Sequence, residues 1–428
     1  MQKIVIVGGG AGGLELASQL GRKLGKKKKA EIILVDQNPS HIWKPLLHEV
    51  ATGSLDTSTD GVVYHAHAAR HGYRFILGRF EQLDAQRKVI RLAPTFDDRN
   101  QPLLPERELN YDMLVLGIGS VSNDFGTPGV QDHCYFLDSH AQAERFHQSL
   151  LSQFVRIDQH SGGVLKIAIV GAGATGVELS AELHHVTDLL KRYGMPNMTP
   201  QQLKVTLIEA GPRILPALPV RISDSAWREL SRMGVEVREN TRISRATDTG
   251  FVTAEDQLIE ADLMIWAAGV KAPDYVKELG VFELNRANQI LAKPTLQSSV
   301  DEDIYVLGDC CGFQQEDGSW VPPRAQSAHQ MASQIQANII RRLKGQAQQP
   351  FSYKDHGSLV SLSRFSTVGS LMGNLTSKSM FVEGHLARLM YISLYRMHQI
   401  AIHGWGKAAL IYVAETINKV VRPKMKLH

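Results

Sequence analysis

The chain has 428 residues, of which 43% are hydrophobic and 21% charged, a composition that is typical of a folded globular protein and excludes a disordered one. Its three cysteines, Cys134, Cys310 and Cys311, are too few and too irregularly spaced for a disulfide framework. The net charge is +4, but from Leu386 onward seven basic residues and one acidic residue give +6. This basic end on a weakly acidic body predicts an anionic partner for that end alone, and we expect no nucleic acid and no metal.

The first element is KIVIVGGGAGGLELASQL, from Lys3 to Leu20, which predicts a strand, a glycine turn and a helix. Its spaced glycines are Gly8, Gly10 and Gly13. The first glycine permits a tight turn, the second lets the backbone approach a pyrophosphate, and the third lets the helix pack on the strand. The next strand, EIILVD, ends in Asp36, an acid placed to bind a ribose. Because the apolar run starts without a basic leader, we expect the fold to begin here, in a reducing cytoplasm.

A second copy of this element, KIAIVGAGATGVELSAEL, runs from Lys166 to Leu183 and agrees with the first at 11 of 18 positions. Its glycines are Gly171, Gly173 and Gly176, and the strand KVTLIE that follows ends in Glu209. A lone glycine motif is weak evidence, and it also fits a structural turn without a ligand. Here each copy has a strand before it, a helix after it and an acid ending the next strand. We therefore predict two dinucleotide sites, most simply one for FAD and one for NAD(P)H.

Three further apolar strands end in glycine-containing turns. They are YDMLVLGIGS (Tyr111 to Ser120), ADLMIWAAGV (Ala261 to Val270, with Gly269) and DIYVLGDC (Asp303 to Cys310, with Gly308 and Asp309). The last resembles the second FAD fingerprint, whose Asp holds the ribityl chain, so we assign FAD to the first copy and NADH to the second. This order resembles the glutathione-reductase-like flavoproteins and implies an α/β fold with two Rossmann-type domains. The predicted segments are FAD-binding at 1–120 and 297–380, NADH-binding at 121–296, and an amphipathic helical membrane-binding tail at 381–428.

Several enzyme classes share this order of domains. Disulfide reductases need a redox cysteine pair after the first glycine turn, and this chain has no cysteine before Cys134. Sulfide:quinone oxidoreductases need well-separated redox cysteines, whereas Cys310 and Cys311 are adjacent. That class stays an alternative, together with a soluble ferredoxin or rubredoxin reductase and a flavin-containing redox sensor without turnover.

The segment VPPRAQSAHQMA, from Val321 to Ala332, carries the pattern AQxAxQ and is similar to the flavin and quinone element of the type II NADH dehydrogenases. The stretches HIWKPLLHEVATGSLD, which contains Lys44, and EAGPRILPALP also look like the bacterial branch of that family. The resemblance implies a non-covalent FAD, bound partly by Lys44, with NADH as substrate and a membrane quinone as acceptor. It also implies a homodimer on the cytoplasmic face of the inner membrane. Nothing in the sequence provides a transmembrane proton path, so we expect no proton pumping.

Four candidate residues follow from helix geometry and from this resemblance. Ala325 and Gln326 should lie at a helix N-terminus, where backbone N–H groups suit the flavin edge that gains negative charge on reduction. The amides of Gln326 and Gln330 are four residues apart and should share the face that meets a quinone carbonyl, although such polar pairs are also common without function. The resemblance places Glu178 between nicotinamide and quinone as a proton relay, while an acid stabilised by the helix dipole is the alternative.

Two last features concern donor choice and the membrane. Glu209 should bind the ribose hydroxyls and repel a 2′-phosphate, so NADH is expected over NADPH, with nearby Arg213 softening the preference.

In the tail, Arg396, Gln399, His403 and Lys407 recur at spacings of three and four among apolar residues. This pattern predicts an amphipathic helix in the plane of an anionic membrane, and a helix packed on another protein surface is the alternative.

Overall fold

The computed structural model describes residues 1–55, 61–97, 99–159, 163–192, 195, 197, 199–361, 367–372 and 379–421. The chain forms two compact units. Unit 1 comprises Met1–Lys44, Gly61–Val121 and Val270–Lys354, and unit 2 comprises Pro45–Asp60, Ser122–Gly269 and Asp355–His428. The predicted domain boundaries group the chain slightly differently and stay a prediction.

The strands are, in chain order, β1 Gln2–Val7, β2 Ala30–Asp36, β3 Ser40–His41, β4 Val62–Val63, β5 Arg74–Leu77, β6 Phe80–Asp84, β7 Val89–Leu92, β8 Thr95–Phe96, β9 Pro102–Leu104, β10 Arg107–Asn110, β11 Met113–Leu116, β12 Val121–Ser122, β13 Leu165–Val170, β14 Leu203–Ile208, β15 Glu236–Arg238, β16 Ile243–Thr247, β17 Gly250–Thr253, β18 Leu258–Glu260, β19 Leu263–Trp266, β20 Val270–Lys271, β21 Ile290–Leu291, β22 Ile304–Val306, β23 Cys311–Gly312, β24 Gly357–Ser361, β25 Thr367–Met372 and β26 Ser379–Glu383.

The α-helices are α1 Ala11–Leu20, α2 Leu47–Thr52, α3 Tyr64–His71, α4 Val130–His133, α5 His140–Gln159, α6 Ala174–Arg192, α7 Val220–Met233, α8 Tyr275–Glu278, α9 Ala325–Leu343, α10 Gly384–His403 and α11 Trp405–Val421. Short helical turns lie at Gly21–Gly25, Lys44–Leu46, Pro200–Gln202 and Gly308–Cys310.

Unit 1 is built on a five-stranded parallel sheet in the order β22–β11–β1–β2–β5. If these five strands are numbered by their order in the chain and read from the β5 edge, they have the order 3-2-1-4-5 of a doubly wound sheet. The last four residues of β1 are fully buried, as expected for a strand covered on both faces. Helices α1 and α9 pack against each other, and a Cβ on Gly12 would lie only 2.9 Å from Ala328 O. The sheet therefore places the turn after β1 beside the start of α9.

The third segment of unit 1 is joined to the second by a charged contact at Asp303, one residue before β22. The carboxylate lies 2.5 Å from Lys88 Nζ and accepts a hydrogen bond from Arg342. Burial acts to raise the pKa of Asp303, but the hydrogen bonds and charges of Lys88 and Arg342 outweigh it, and the pKa lies below its ordinary value.

Unit 2 repeats the same plan with a four-stranded parallel sheet in the order β15–β14–β13–β19. Its first strand, β13, is again central, and it is again followed by a glycine turn and a helix, α6. The left-handed Gly234, with φ of +92°, ends α7, because only glycine adopts this conformation without strain. The predicted fold class, an α/β protein with two Rossmann-type sheets and a C-terminal helical region, is confirmed.

The C-terminal part of unit 2 consists of the antiparallel sheet β24–β25–β26 followed by α10 and α11. Gly404, with φ of +83°, separates the two helices where the sequence pattern predicts one. Arg396 Nη2 lies 2.5 Å from Glu415 Oε2, and Gln399 Nε2 donates to Glu415 Oε1 at 2.9 Å. Arg396 and Gln399 therefore join the two helices, and the membrane role of the tail stays a prediction.

An exposed apolar face lies on α11. Leu410, Val413 and Ile417 are 71%, 54% and 58% exposed, and Trp405 is 78% exposed. Within the described part of the chain, no helix is long and apolar enough to cross a bilayer. The basic residues Arg422, Lys424 and Lys426 lie outside the described residues.

Candidate functional site

The first glycine turn has the geometry of a phosphate cradle. A Cβ on Gly8, whose φ is +98°, would overlap Gly117 O, and a Cβ on Gly13 would overlap Gly8 O. At Gly10, by contrast, a Cβ would meet no atom within 4 Å. The first and third glycines are therefore required by packing, while the second leaves an open face at the N-terminus of α1, as a pyrophosphate needs.

The second glycine turn has the same construction. A Cβ on Gly171, whose φ is +101°, would lie 2.6 Å from Ala268 Cα, and one on Gly176 would overlap Gly171 O. Gly173 again faces open space. Gly269, with φ of +64°, would meet the ring of Phe125 at 2.6 Å if it carried a Cβ. The candidate NADH residues of the second copy are thus gathered within unit 2, and those of the first copy within unit 1.

The acid that ends each second strand contacts its own glycine turn. Asp36 Oδ2 accepts a hydrogen bond from Gly9 N at 2.6 Å, and Glu209 Oε2 accepts one from Ala172 N at 3.0 Å. Burial raises the pKa of Asp36 above its ordinary value, and its hydrogen bonds with Asn38 and Gly9 oppose this. Each carboxylate oxygen has more than one acceptor position, so both acids retain capacity for a ribose hydroxyl.

Asp309 and Lys44 belong to one polar cluster in unit 1. Ser120 Oγ donates to Asp309 Oδ2 at 2.7 Å, and Lys44 Nζ donates to Ser120 O at 2.8 Å. Gly308, with φ of +72°, forms the turn before Asp309, and Gln289 Nε2 donates to Asp309 O at 2.8 Å. Sequence reasoning missed Ser120, which ends the quoted strand YDMLVLGIGS and links two residues that are far apart in the chain.

The helix α9 begins at Ala325, with Arg324 as its N-cap in an extended conformation. Ala325 and Gln326 therefore occupy the first turn, where their N–H groups have no acceptor inside the helix. Gln330 lies one turn later, and its amide hydrogen-bonds the backbone of Lys354, donating from Nε2 at 2.8 Å and accepting at Oε1 at 3.0 Å. These two hydrogen bonds use the amide oxygen and one of the two amide hydrogens of Gln330.

A carboxylate–imidazole pair lies next to this segment. His329 Nδ1 contacts Glu15 Oε2, and Glu15 Oε1 accepts a hydrogen bond from Gln19 at 2.8 Å. His329 and Gln330 line a shallow groove of about 370 Å³ on unit 1 together with Ser333, Gln334, Phe351 and Ser352. The pairing of Glu15 with His329 could not be read from the sequence, because 314 positions separate the two residues.

Glu178 is the counterpart of Glu15 in the second copy, and it too faces a histidine. Glu178 is 7% exposed, and its Oε2 lies 3.6 Å from Nδ1 of the buried His48. Burial lowers the pKa of His48 below its ordinary value, and the charge of Glu182 opposes this. Glu182 in turn accepts a hydrogen bond of 2.5 Å from Ser54 Oγ. Glu178 is thus part of a buried polar cluster and not an exposed first-turn acid.

The two adjacent cysteines are buried and free. Burial raises the pKa of Cys310 to about 12 and that of Cys311 well above its ordinary value. Cys310 Sγ donates to Leu307 O at 3.3 Å. Because the thiolate is the reactive form of cysteine, this environment is typical of structural and not of redox cysteines.

Two parallel sheets, each followed by a glycine turn and a helix, are typical of oxidoreductases with two dinucleotide-binding domains. In agreement, residues 2–332 match the family model of the pyridine nucleotide-disulphide oxidoreductases. The chain is also similar to the type II NADH:quinone oxidoreductase of Haemophilus influenzae, with 44% identity over the whole of both chains. A type II NADH:quinone oxidoreductase of Staphylococcus aureus is 28% identical over 87% of this chain and 90% of its own. The chain belongs to the type II NADH:quinone oxidoreductases within the pyridine nucleotide-disulphide oxidoreductase family.

Solved structures agree with this fold. NDH2 of Plasmodium falciparum in complex with NADH superimposes with a TM-score of 0.82, covering 99% of this chain and 100% of its own at 17% identity. The sulfide:quinone oxidoreductase of Aquifex aeolicus gives a TM-score of 0.74 at 15% identity, covering 94% and 92%. At these identities the likeness concerns the fold alone, and the family assignment rests on the closer relatives.

Proposed function

We propose that NADH is oxidised at the second glycine turn and a membrane quinone is reduced, with a non-covalent FAD held at the first turn. NADH:quinone oxidoreduction is the activity of the family, and the chain is an enzyme of this kind. The placement of the two dinucleotides, the quinone-facing residues and the lipid surface are the parts that we propose.

The observation that carries this assignment is that the same cradle occurs once in each unit. In both, the first and third glycines are fixed by packing, the second is open, and an acid accepts the N–H of the intervening residue. Unit 1 also contains the cluster of Lys44, Ser120 and Asp309. A resident cofactor with a long ribityl chain fits unit 1 and a substrate dinucleotide fits unit 2.

The residues of unit 1 fit FAD at three points. When bound, FAD supplies a two-electron carrier between NADH and quinone. Gly10 opens the pyrophosphate cradle, Asp309 accepts hydrogen bonds from hydroxyl groups, and the first turn of α9 at Ala325 favours negative charge through the helix dipole. We propose that the flavin is bound non-covalently, so heating should release it from the polypeptide.

Reduction of a quinone to a quinol consumes two protons, and Glu178 is our candidate to hold one of them. A buried carboxyl beside a buried imidazole can pass a proton without contact with bulk water. Gln326 and Gln330 are proposed to donate amide hydrogens to the quinone. Neutral amides avoid the large desolvation cost that a charged donor would have in an apolar site.

The exposed apolar face of α11 is proposed to lie in the surface of an anionic bilayer, on the cytoplasmic face of the inner membrane. Gly406, Leu410, Val413 and Ile417 follow at spacings of four, three and four, so they form one stripe along the helix. The hydrogen bond between Arg396 and Glu415 links α10 to α11.

A homodimer is proposed from the family resemblance. Measurement of the molecular mass by light scattering tests it.

The decisive experiment follows NADH absorbance with ubiquinone-1 as acceptor and purified protein. Rapid oxidation supports the proposal, and oxidation with ferricyanide alone would favour a reductase for a protein partner. Absence of turnover with either acceptor would favour a redox sensor. A chain ending at Gly384 should keep NADH:ferricyanide activity but lose turnover with quinone embedded in vesicles. Retention of that turnover would contradict the role of the tail.

A further inference from the structure

In each copy of the glycine turn, both the N–H and the carbonyl of the residue between the first two glycines are hydrogen-bonded. The N–H of Gly9 donates to Asp36, and the carbonyl of Gly9 accepts a hydrogen bond of 2.7 Å from the hydroxyl of Tyr64. In the second copy, the N–H of Ala172 donates to Glu209, and the carbonyl of Ala172 accepts a hydrogen bond of 2.7 Å from Leu215 N. The Tyr64 hydroxyl and the Leu215 N–H come from unrelated segments, yet both donate to the carbonyl oxygen of the equivalent residue in the repeat.

The carbonyl of this residue sets the direction of the N–H that follows it. A trans peptide is planar, so its C=O and its N–H point in opposite directions. A donor that fixes the oxygen of Gly9 therefore also aims the N–H of Gly10, and the same holds for Ala172 and Gly173. These are the second glycines, whose open faces form the phosphate cradles.

In the first copy the donor is a buried side chain. Tyr64 is 2% exposed and its ring stacks on Phe75 with 4.9 Å between centroids. Burial, together with the neighbouring Asp36 and Tyr73, raises the pKa of Tyr64 well above its ordinary value, so the hydroxyl keeps its proton and donates.

In the second copy the donor is the main chain of a strained residue. Leu215 has φ of +47°, in the left-handed region that a leucine seldom adopts, and is 2% exposed. Such a conformation persists only where the surroundings fix it. Arg213 contributes to fixing it, because its guanidinium donates to three carbonyls of this loop, those of Leu215 at 3.3 Å, Pro216 at 2.7 Å and Leu218 at 2.7 Å.

We infer that Tyr64 and Arg213 are positioning residues, which aim the Gly10 and Gly173 N–H groups at the pyrophosphates of FAD and NADH respectively. This assignment of ligands rests on the proposed function. The positioning role of Arg213 also replaces the expectation that Arg213 weakens the preference for NADH over NADPH. Its guanidinium is bonded to three carbonyls of its own loop and is therefore not available to a 2′-phosphate.

The test compares two variants that serve as controls for each other. Tyr64→Phe keeps the ring and removes the hydroxyl, and FAD should dissociate from the holoenzyme about tenfold more readily, as expected for one lost buried hydrogen bond. In the FAD-loaded fraction its KM for NADH should be unchanged. Arg213→Met keeps the stem and removes the donors. It should raise KM for NADH and for NADPH by the same factor, with kcat for ferricyanide and FAD content unchanged.

Two further variants separate positioning from general loss of stability. Tyr305→Phe removes another buried tyrosine hydroxyl of unit 1, which bonds Gln348 at 2.9 Å, and should leave FAD dissociation at the parental rate. Arg213→Lys retains one charged donor and should fall between the parent and Arg213→Met, which keeps the inference testable if the methionine variant folds poorly.

Three results would overturn the inference or its premise. Equal FAD release from Tyr64→Phe and Tyr305→Phe would remove the role of Tyr64. A selective loss of NADPH turnover in Arg213→Met would make Arg213 a ligand of the 2′-phosphate. If Tyr64→Phe instead weakened NADH and Arg213→Met released FAD, the positioning would stand and the proposed placement of the two dinucleotides would be wrong.

Discussion

Replacing Leu410 and Ile417 by serine should release the protein from membranes without harming its nucleotide chemistry. Both side chains lie on the exposed stripe of α11, Leu410 with 71% and Ile417 with 58% of its surface open. Full burial of a leucine or isoleucine side chain is worth about 2 kcal/mol. Weighted by the exposed shares, the two substitutions should cost about 2.5 kcal/mol of lipid binding, which approaches a hundredfold in the partition coefficient.

Co-sedimentation with vesicles of mixed anionic and zwitterionic phospholipid measures this partition directly. The matched control is Val220→Ser with Trp227→Ser on α7 of the same unit, where the two side chains are 59% and 41% exposed. That pair should leave partitioning unchanged, and both variants should keep parental NADH:ferricyanide rates. Equal partitioning of the Leu410 and Ile417 variant and the parent would refute the reasoning, and the stripe would then be a contact surface for protein.

Four substitutions probe the rest of the molecule, the last of them combined with an acid titration. Glu178→Gln should slow quinone turnover more than ferricyanide reduction, which needs no proton, and an equal loss with both acceptors would assign Glu178 to the NADH half-reaction. Glu209→Gln should narrow the preference for NADH over NADPH in kcat/KM, whereas equal use of both donors by the parent would refute the role of Glu209. Gln330→Leu should raise KM for quinone and leave the anaerobic rate of flavin bleaching by NADH at its parental value. Asp303→Asn should lower the free energy of unfolding by about 1 kcal/mol at neutral pH. Because the folded pKa of Asp303 is depressed, the carboxylate stabilises the fold above its unfolded pKa, and the stability difference from the asparagine variant should vanish as acid titration passes below the folded pKa.

The sequence predicted those features that depend on neighbouring residues. The strands around Ile6 and Ile169 are short buried runs, and a Cβ on Gly13 or Gly176 would overlap the carbonyl oxygen of the glycine five residues earlier, so this part of the pattern can be read from the sequence. In the cluster of Lys44, Ser120 and Asp309, the sequence predicted Lys44 and Asp309 but not Ser120. The serine bonds residues that are 76 and 189 positions away in the chain.

The tail shows why the remainder could not be read in this way. Arg396 and Gln399 have the spacing of a polar stripe on an amphipathic helix, and nothing in the local sequence distinguishes a stripe that faces outward from one that contacts another helix. The left-handed Gly404 ends one helix and lets the next bring Glu415 against them. Helical periodicity gives the residues that share a face but not the partner that the face meets.

Between the first two spaced glycines, the first copy has glycine (GGG) and the second has alanine (GAG), and the donors explain this difference. Tyr64 reaches across Gly9 so closely that a Cβ there would lie 2.8 Å from the Cε1 atom of the tyrosine ring and would overlap its hydroxyl. At position 172 the donor is a backbone N–H, which leaves room for the methyl group of alanine. The residue between the first two glycines therefore reflects which group donates to its carbonyl. Glycine is required where an aromatic side chain packs against the turn, and alanine fits where a backbone N–H is the donor.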